Sequence, residues 1–450
     1  MDGITILEAA VLCGGQLSGA GDYDRALGRV VIDSRAVGPG DLFVAYKGER
    51  ADGHDYIGAA LDRGAACCLA QRRPAGEERP LLLVPDVQRA LEEIAAAYRR
   101  TLDLPVVGVT GSVGKTTAKE MIAAVLSQRY RTLKTEGNLN NQIGVPMTVS
   151  RITRAHEAAV IELGISGFGE MRALARIARP TVAVYTVIGH AHLEFLHDLD
   201  GVLRAKTEML EEMEDTAPVV VNGDDEKLRA LRCRQRKILY GLSGDCQVRA
   251  ENIRALPEGH TACDIVASGR RLPVVIPAFG RHMVYAALEG AAVGLELGLT
   301  EEEIIRGIAA YETVGRRAAL TDTGSLLLID DCYNANPVSC RSGIDSLLTL
   351  PGRHVCILGD MLEQGEGERQ MHFDLGRYAV ERGVELVLAN GPLSEETARG
   401  AGERGYYYVN LEELIAALPG LLKKGDAVLV KASNSMRFGE ISEALKELKL

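Results

Sequence analysis

The residues with the clearest chemical potential lie between Val107 and Lys119 and read VGVTGSVGKTTAK. A β-branched run breaks there into a glycine-rich turn that ends in Lys115 and Thr116. Glycines let several backbone N–H groups point into one concavity, a lysine reaches the outer phosphates of a nucleotide, and a threonine hydroxyl can bind Mg²⁺. The segment therefore predicts a loop that binds the phosphates of ATP.

Apolar residues recur at helical spacing directly after this turn, which predicts a helix over residues 116–128 with its positive end at the phosphates. The general pattern has a glycine five places before Gly114, where this chain has Val109. A glycine-rich turn without a ligand is the alternative. We expect the nucleotide contacts to come from Thr110, Gly111, Ser112, Val113, Gly114, Lys115, Thr116 and Thr117.

Length and composition indicate a folded enzyme of several domains. The chain has 450 residues, of which 46% are hydrophobic and 25% charged, with 49 glycines; this length suggests about three domains. The net charge of −11 argues against a broad nucleic-acid interface. Nine cysteines lack metal-ligand spacing, and no apolar run is long enough for a membrane span. We expect reduced thiols, a cytoplasmic location and no membrane insertion.

The alternation of strands and helices predicts an α/β fold in three domains. A small N-terminal α/β domain covers residues 1–101, a central P-loop domain with a mostly parallel sheet covers 102–312, and a Rossmann-like α/β domain covers 313–450. The predicted strands lie at 29–33, 41–46, 65–70, 81–84, 158–163, 181–188, 218–221, 326–330, 354–358, 385–389 and 427–430. Long helices are predicted at 87–100 and 282–297.

Polar side chains follow several of these strands at their carboxyl ends, where ligands bind in such sheets. Glu162 ends one buried strand, and His190 and His192 follow the next. A carboxylate in this place can bind Mg²⁺, although a single glutamate or histidine is more often structural. Lys206, taken alone, indicates a solvated helix residue.

Several separated stretches together resemble the Mur ligase family. They span almost the whole chain and read DSRAVGPGDLFVAYKGERADGHDY (33–56), GVTGSVGKTTAKE, TEGNLNNQIGVP (135–146), VIELGISGFGEM, IGHAHLEFL, DDCYNANP and LGDMLEQGE. The resemblance implies ATP-driven amide formation through an acyl phosphate. The implied substrates are UDP-N-acetylmuramoyl-tripeptide and D-alanyl-D-alanine, and the C-terminal domain would close over ATP and bind the dipeptide.

The resemblance also implies roles for individual residues. Two Mg²⁺ ions would be bound by Thr116, Glu162, His192 and a carbamylated Lys206, while Lys115 and Asn138 would act with them in catalysis. His282, Arg316 and Asp331 would contact ATP. The muramoyl substrate and the dipeptide would be bound by Ser34, Arg35, Asp52, His54, Asn138, Asn140, Asn141, Tyr333, Asn334, Asn336, Asp360 and Glu363.

Three residues depart from the family pattern and keep other functions open. Met283 and Ala286 stand where asparagines are usual near the start of a long helix, and Asn434 stands where an arginine is common. A catalytically weakened ATP-binding homologue and a folylpolyglutamate synthase type of ligase are the alternatives. A P-loop motor or GTPase is disfavoured, because the chain lacks a guanine-reading Asn-Lys-x-Asp motif. We expect a monomer. The sequence leaves open whether the third residue of the accepted tripeptide is lysine or diaminopimelate.

Overall fold

The computed structural model describes residues 1–48, 51–256 and 259–450, whose strands form three sheets. The sheets have five, nine and six strands and are mostly parallel, so the predicted α/β class is confirmed. Glu49 and Arg50, which fall within the family-like stretch 33–56, lie outside the described residues. No helix of the described ranges is both long and apolar enough to cross a membrane.

The first sheet has the strand order β1-β5-β4-β3-β2 and is parallel except for β1. Asp33 shortens the predicted strand at 29–33, because its carboxylate caps a 3₁₀ turn instead. The elements of this segment are α1 (Ile6–Cys13), β1 (Gln16–Ser18), β2 (Val30–Val31), β3 (Leu42–Val44), α2 (Ile57–Asp62), β4 (Cys67–Ala70), β5 (Leu81–Leu83) and α3 (Val87–Arg100).

Arg99, in the last turn of α3, joins the first segment to the next one. Its buried guanidinium donates hydrogen bonds to the carbonyls of Ala178 at 2.9 Å, Leu102 at 2.8 Å, Leu104 at 3.3 Å and Arg179 at 3.2 Å. These acceptors compensate the removal of a charged group from water. The contact fixes α3 against the central segment.

The second sheet has the order β14-β13-β12-β11-β10-β9-β6-β8-β7. Strands from β7 to β12 are parallel, and β12, β13 and β14 extend the edge as an antiparallel meander. The strands are β6 (Val106–Thr110), β7 (Thr132–Lys134), β8 (Ala158–Glu162), β9 (Val182–Tyr185), β10 (Pro218–Asn222), β11 (Arg236–Gly241), β12 (Val248–Leu256), β13 (His260–Ala267) and β14 (Arg270–Ile276).

Helices cover both faces of this sheet, so its central strands are apolar on both sides. On one face α4 packs against α10 and α11, and on the other α3 packs against α5 and α6. The helices are α4 (Lys115–Leu126), α5 (Gly144–Ser150), α6 (Glu170–Ala178), α7 (Leu193–Leu196), α8 (Leu199–Thr207), α9 (Glu226–Ala230), α10 (His282–Glu296) and α11 (Glu301–Ala309).

The third sheet has the order β15-β16-β20-β17-β18-β19, with only its edge strand β15 antiparallel. Its elements are β15 (Ala319–Asp322), β16 (Leu327–Asp330), α12 (Pro337–Leu347), β17 (His354–Gly359), α13 (Glu368–Arg382), β18 (Leu386–Asn390), α14 (Ser394–Ala401), β19 (Gly405–Tyr408), α15 (Leu411–Leu421), β20 (Ala427–Lys431) and α16 (Gly439–Glu447). The domain boundaries after residues 101 and 312 stay predictions.

Candidate active site

The glycine-rich turn connects β6 to α4 and has no room for a larger residue at its start. Gly111 has φ 151°, and a Cβ atom there would lie 1.9 Å from Thr186 Oγ1. Gly114 has φ 85° and precedes the first turn of α4. The turn therefore brings backbone N–H groups and a helix N-terminus to one concavity, which is the arrangement that binds phosphate.

The loop after β9 supports this turn. Ser112 Oγ donates to the Gly189 carbonyl at 2.8 Å, and Ser112 N donates to the Val187 carbonyl at 2.8 Å. Thr186 Oγ1 also donates to the carbonyl of Val113. These bonds explain why β9 ends at Tyr185 rather than at the predicted residue 188: the following residues leave the sheet to hold the turn.

Lys115 and Thr116 begin α4, with Thr117 beside them in its first turn. The Lys115 ammonium donates to the carbonyl of Gly111 at 2.9 Å, so its charge lies within the turn. Burial lowers the pKa of Lys115, the carboxylate of Glu162 opposes this effect, and the charge of Arg317 adds to it. Positive charge is thus concentrated where the phosphates of a nucleotide would lie.

Glu162 lies at the carboxyl end of β8, beside β6 in the sheet, and only 2% of it is exposed. Its Oε2 accepts a hydrogen bond from Thr116 Oγ1 at 2.9 Å, and its Oε1 accepts one from Asn140 Nδ2 at 2.8 Å. The structure therefore places the hydroxyl of Thr116 against the carboxylate of Glu162. Hydroxyl and carboxylate oxygens are suitable ligands for Mg²⁺.

A second buried lysine stands behind Glu162. Lys119, one helical turn after Lys115, is 1% exposed, and its ammonium lies 4.0 Å from Glu162 Oε2 and 2.9 Å from Glu120 Oε1. It also donates to the carbonyl of Thr135 at 2.7 Å. The buried ammonium of Lys119 thus lies within reach of the carboxylates of both Glu120 and Glu162.

His192 and Lys206 approach the same site from the segments after β9. Lys206 in α8 is 2% exposed, and burial together with the charge of Lys115 lowers its pKa well below the ordinary value. Burial lowers the pKa of His192, and the positive charges of Lys206 and Lys115 lower it further. The carboxylate of Glu363 opposes this effect. Lys115, His192 and Lys206 are therefore close enough to influence one another's charge.

The described residues contain no group of three or more His, Cys, Asp or Glu side chains that could hold a metal ion by themselves. Mg²⁺ commonly takes one or two protein ligands and completes its shell with water and phosphate oxygens. The oxygens of Thr116 and Glu162 fit such a partial shell.

The asparagine-rich loop before α5 divides into structural and open positions. Asn141 Oδ1 accepts from Gly144 N at 2.9 Å and Ile143 N at 3.2 Å, so it caps a turn. Asn140 Nδ2 donates its hydrogen bond to Glu162 Oε1, as described above. Asn138 is exposed and available to a ligand. The predicted substrate role of this loop therefore rests most directly on Asn138.

The candidate residues of the first segment are bonded chiefly to one another. Asp52 Oδ1 lies 2.6 Å from His54 Nδ1, and Gln71 N donates to His54 Nε2 at 3.0 Å. Both nitrogens of this buried imidazole are therefore occupied. Arg35 is 85% exposed and pairs with Asp33 at 2.8 Å; its hydrogen bonds lower the pKa of Asp33 to about 2. Arg35 is the position here that remains accessible to an anion, with Ser34 beside it.

The nucleotide-side candidates lie where α10 meets the third segment. His282 Nδ1 is buried without a hydrogen-bond partner among the described residues. Burial lowers the pKa of His282, the charge of Asp331 raises it and that of Lys431 lowers it. Asp331 Oδ2 lies 2.6 Å from Lys431 Nζ. Met283 and Ala286 are buried in the core under α10. They therefore pack into the apolar core of the central segment.

The two adjacent arginines after residue 315 point to different places. Arg316 lies 3.0 Å from Glu443 and 3.6 Å from Asp330, against Gly439, within the third segment. Arg317 lies over the ring of Tyr333 at 3.8 Å, and its charge acts on Lys115. Arg317 therefore lies near enough to the phosphate-binding turn for its charge to lower the pKa of Lys115, and the ATP contact predicted for Arg316 stays a prediction.

The remaining candidates of the third segment include helix caps and buried anchors. Asn336 caps α12, and Asn334 Oδ1 accepts a bond from Ala335 N at 2.9 Å. Asp360 is buried and accepts bonds from Ser394 Oγ at 2.6 Å and Ser394 N at 2.8 Å. Glu363 differs from these residues, because its Oε2 lies 2.9 Å from His192 Nδ1 in the central segment.

Comparison with known proteins relates this geometry to a family. Three family models match the chain: "Mur ligase family, catalytic domain" at residues 28–99, "Mur ligase middle domain" at 109–294 and "Mur ligase, glutamate ligase domain" at 315–434. The UDP-N-acetylmuramoyl-tripeptide–D-alanyl-D-alanine ligase of Bacillus subtilis is 34% identical, over 98% of both chains. The chain belongs to the Mur ligase family. The Escherichia coli ligase of the same name is 35% identical over 99% of both chains.

Solved Mur ligase structures share the fold along the whole chain. A crystal structure of MurF from Acinetobacter baumannii superimposes with a TM-score of 0.91 at 30% identity and covers 99% of both chains. MurF from Thermotoga maritima in complex with ADP has a TM-score of 0.85 at 30% identity, covering 95% of this chain and 99% of that one. A Mycobacterium tuberculosis folylpolyglutamate synthase is 17% identical with a TM-score of 0.64, and therefore shares only the fold.

Sequence analysis of this Mur ligase did not single out two charged residues that the structure places at the site. Lys119 follows Thr116 by three residues and so lies on the same face of α4, a spacing that could have indicated its approach to Glu162. Arg317 and Arg316 are the same residue type at adjacent positions. Only the backbone path after residue 315 distinguishes them, so the sequence carried no signal for Arg317.

Proposed function

We propose that this chain is an ATP-dependent ligase that joins D-alanyl-D-alanine to UDP-N-acetylmuramoyl-tripeptide and releases ADP and phosphate. The observation that carries the proposal is the joint placement of the phosphate-binding turn, Glu162 and Lys206 at one edge of the central sheet. Full-length similarity to ligases of that name supports the choice of substrates.

The residues of the site account for an acyl-phosphate mechanism. The carboxylate of the tripeptide attacks the γ-phosphate of ATP, and the amine of the dipeptide then attacks the acyl carbon and displaces phosphate. Lys115 and the N-terminus of α4 offset the charge of two anions that must approach each other. Arg317 adds charge from the third segment. Packing of the third segment over the turn keeps water from the acyl phosphate.

Two Mg²⁺ ions fit this site, with Thr116, Glu162, His192 and Lys206 as the proposed protein ligands. When bound, Mg²⁺ supplies charge neutralisation and alignment of phosphate oxygens. The buried Thr116–Glu162 pair offers the oxygen donors that such an ion requires. The Lys119 ammonium, 4.0 Å from Glu162 Oε2, supports the carboxylate in this position.

Lys206 is proposed to be carbamylated. Carbamylation needs a neutral amine, and burial of Lys206 near Lys115 favours that form by lowering its pKa. The product is an anionic oxygen ligand in place of a buried ammonium. Carbon-13 NMR of protein equilibrated with ¹³C-bicarbonate checks the proposal, because a carbamate signal absent from Lys206→Ala is expected. Full activity of Lys206→Ala without added formate would contradict it.

The other contacts follow from accessibility. His282, with its unpartnered Nδ1, and Asp331 are proposed to bind the nucleoside of ATP. Ser34, Arg35 and Asn138 are proposed to contact the UDP-muramoyl substrate, because Arg35 and Asn138 are exposed. Tyr333 and Glu363 are proposed to line the dipeptide site. For His54, Asn141, Asn336 and Asp360 we propose indirect roles through the caps and turns that they stabilise.

The working environment is proposed to be the cytoplasm, with the enzyme acting as a monomer. All nine cysteines are free thiols, and they persist in a reducing compartment that also supplies ATP. Size-exclusion chromatography with light scattering tests the monomer, which should have a mass near 48.4 kDa.

Phosphate release from ATP tests the function directly. The assay contains Mg²⁺ and UDP-N-acetylmuramoyl-tripeptide with or without D-alanyl-D-alanine, and parallel wells contain glutamate with folate. Release that depends on both muramoyl substrate and dipeptide, with an amide product by mass, is expected. Release with folate would indicate a folylpolyglutamate synthase type of ligase, and ATP binding without release would indicate a catalytically weakened homologue.

A further inference from the structure

Glu208 follows Lys206 by two residues and begins the 3₁₀ turn (Glu208–Glu212) after α8. Only 7% of Glu208 is exposed, and both oxygens of its carboxylate accept hydrogen bonds. Gly169 N lies 2.9 Å from Oε1 and 3.0 Å from Oε2, and Arg172 N donates to Oε2 at 3.4 Å. Burial of a carboxylate is costly unless such donors replace water. These backbone donors therefore account for the burial of Glu208.

The donors belong to the N-terminus of α6. This helix begins at Glu170, and its N-cap residue, Gly169, has φ 81° and no side chain that could accept a hydrogen bond. The first N–H groups of a helix need acceptors and favour a negative charge nearby. Glu208 supplies both from a position 39 residues further along the chain. The carboxylate thus joins α6 to the turn that follows Lys206.

The loop between β8 and α6 extends this connection to Glu162. β8 ends at Glu162, and only the seven residues 163–169 separate it from α6. At the start of this loop, Thr110 Oγ1 in β6 donates to the carbonyl of Leu163 at 2.9 Å. At its end, Gly169 is bonded to Glu208. The loop is therefore held by the central sheet on one side and by the segment of Lys206 on the other.

Other contacts across this junction lie at the surface. The exposed guanidinium of Arg204 lies over the ring of Phe168 at 4.7 Å. Arg172 pairs with the exposed carboxylate of Glu211 at 2.7 Å. Exposed ion pairs contribute little because water and salt screen them. Glu208 is buried, so its charge-assisted hydrogen bonds are screened much less and contribute more to the junction.

Residues that touch neither metal nor substrate commonly orient the ligands in front of them. We propose that Glu208 is a positioning residue that sets the place of Lys206 relative to Glu162. This inference rests on the proposed function, in which both side chains bind Mg²⁺. Loss of the Glu208 carboxylate separates α6 from the turn after α8 and releases Lys206 from its place. The phosphate-binding turn keeps its shape, because the loop after β9 supports it independently.

The test compares Glu208→Ala and Glu208→Asp with Glu211→Ala, the matched control at an exposed position of the same turn. We expect Glu208→Ala to lower kcat for phosphate release about 10- to 100-fold, the usual cost of losing a residue that orients a metal ligand, with the KM for ATP within about twofold of wild type. Electron paramagnetic resonance with Mn²⁺ and ADP should show a similar loss of Mn²⁺ affinity. Glu211→Ala should retain both wild-type values.

Glu208→Asp distinguishes positioning from simple capping. It keeps a negative charge for the N-terminus of α6 but is shorter by one methylene group, so it draws the turn toward the helix. We expect stability close to wild type in urea unfolding and a loss of about tenfold in kcat, because displacements of about 1 Å weaken catalysis. If Glu208→Ala does not fold, this variant alone decides.

The outcomes separate the inference from the proposed function. Wild-type kcat and Mn²⁺ affinity in the folded Glu208 variants, with lower stability alone, would overturn the inference and leave Glu208 as a helix cap. Equal losses in Glu208→Ala and Glu211→Ala would overturn it as well. Phosphate release by the wild type that does not require the muramoyl substrate would instead defeat the proposed function. Mn²⁺ binding is measured without that substrate and would still decide the role of Glu208.

Discussion

Glu289, a buried carboxyl group behind the phosphate-binding turn, makes the stability of the central segment depend on pH. It lies on α10, is 3% exposed and is hydrogen-bonded to the hydroxyl of Tyr240. That hydroxyl also lies 3.1 Å from the carbonyl of Tyr185 and 3.2 Å from that of Thr186. Burial raises the pKa of Glu289 to about 8 from an ordinary value of 4.5. At pH 7 the group is therefore protonated, and its Oε1 accepts a hydrogen bond from the hydroxyl of Tyr240.

The sign and size of the effect follow from these two values. In the unfolded chain Glu289 ionises above pH 4.5, whereas in the folded protein it keeps its proton until about pH 8. Between these two pH values the folded state binds more protons than the unfolded chain, so the free energy of unfolding falls as pH rises. The stabilisation from the protonated carboxyl group is complete below this interval and lost above it. Each pH unit is worth about 1.4 kcal/mol, so the interval corresponds to about 5 kcal/mol.

Glu289→Gln removes the ionisation and keeps an acceptor oxygen for the hydroxyl of Tyr240. We expect urea unfolding, followed by circular dichroism, to give similar stabilities for variant and wild type near pH 5. At pH 8.5 the variant should be more stable by several kcal/mol. Glu302→Gln, at an exposed position at the start of α11, should change little at either pH. Parallel pH profiles for wild type and Glu289→Gln would refute the reasoning.

Three further predictions concern the phosphate site. Gly111→Ala would place a Cβ atom 1.9 Å from Thr186 Oγ1, and the displaced turn should lose about 10- to 100-fold in ADP affinity by calorimetry; wild-type affinity would show that the turn adapts freely. Lys119→Met leaves Glu120 and Glu162 without their buried cation and should cost about 3–5 kcal/mol in urea unfolding, with a smaller loss for Lys119→Arg. Arg317→Met should raise the KM for ATP about tenfold through loss of a charged contact, whereas Arg316→Met should leave it near wild type; the reverse ranking would restore Arg316 as the phosphate contact.

Local patterns were sufficient to predict most of the parallel framework. The helix predicted at 87–100 is α3 with the same bounds, and the strand predicted at 158–163 is β8, which ends at Glu162. These segments succeed because a strand buried on both faces and a helix with one apolar face leave strong periodic signals. The meander β12–β14 was missed, since the exposed face of β12 carries Glu251 and Arg254 among few apolar residues.

The placement of a candidate residue was predictable where it depends on a single turn or strand. Lys115, Thr116 and Glu162 are of this kind, because neighbouring parallel strands bring their carboxyl ends together. The choice between Arg316 and Arg317 depends instead on the path of the chain between two segments. Sequence reasoning likewise gave no indication that both nitrogens of His54 are used within the first segment, since that needs Gln71 to be adjacent in space.

The hydrogen bonds of Arg99 also bear on how the chain acquires its structure. Residues 1–101 released as a fragment would keep the guanidinium but lose the acceptors at 102, 104, 178 and 179. We therefore expect the contact between α3 and the nine-stranded sheet to be complete only once residue 179 is in place, and residues 1–101 to be less stable alone than in the whole chain.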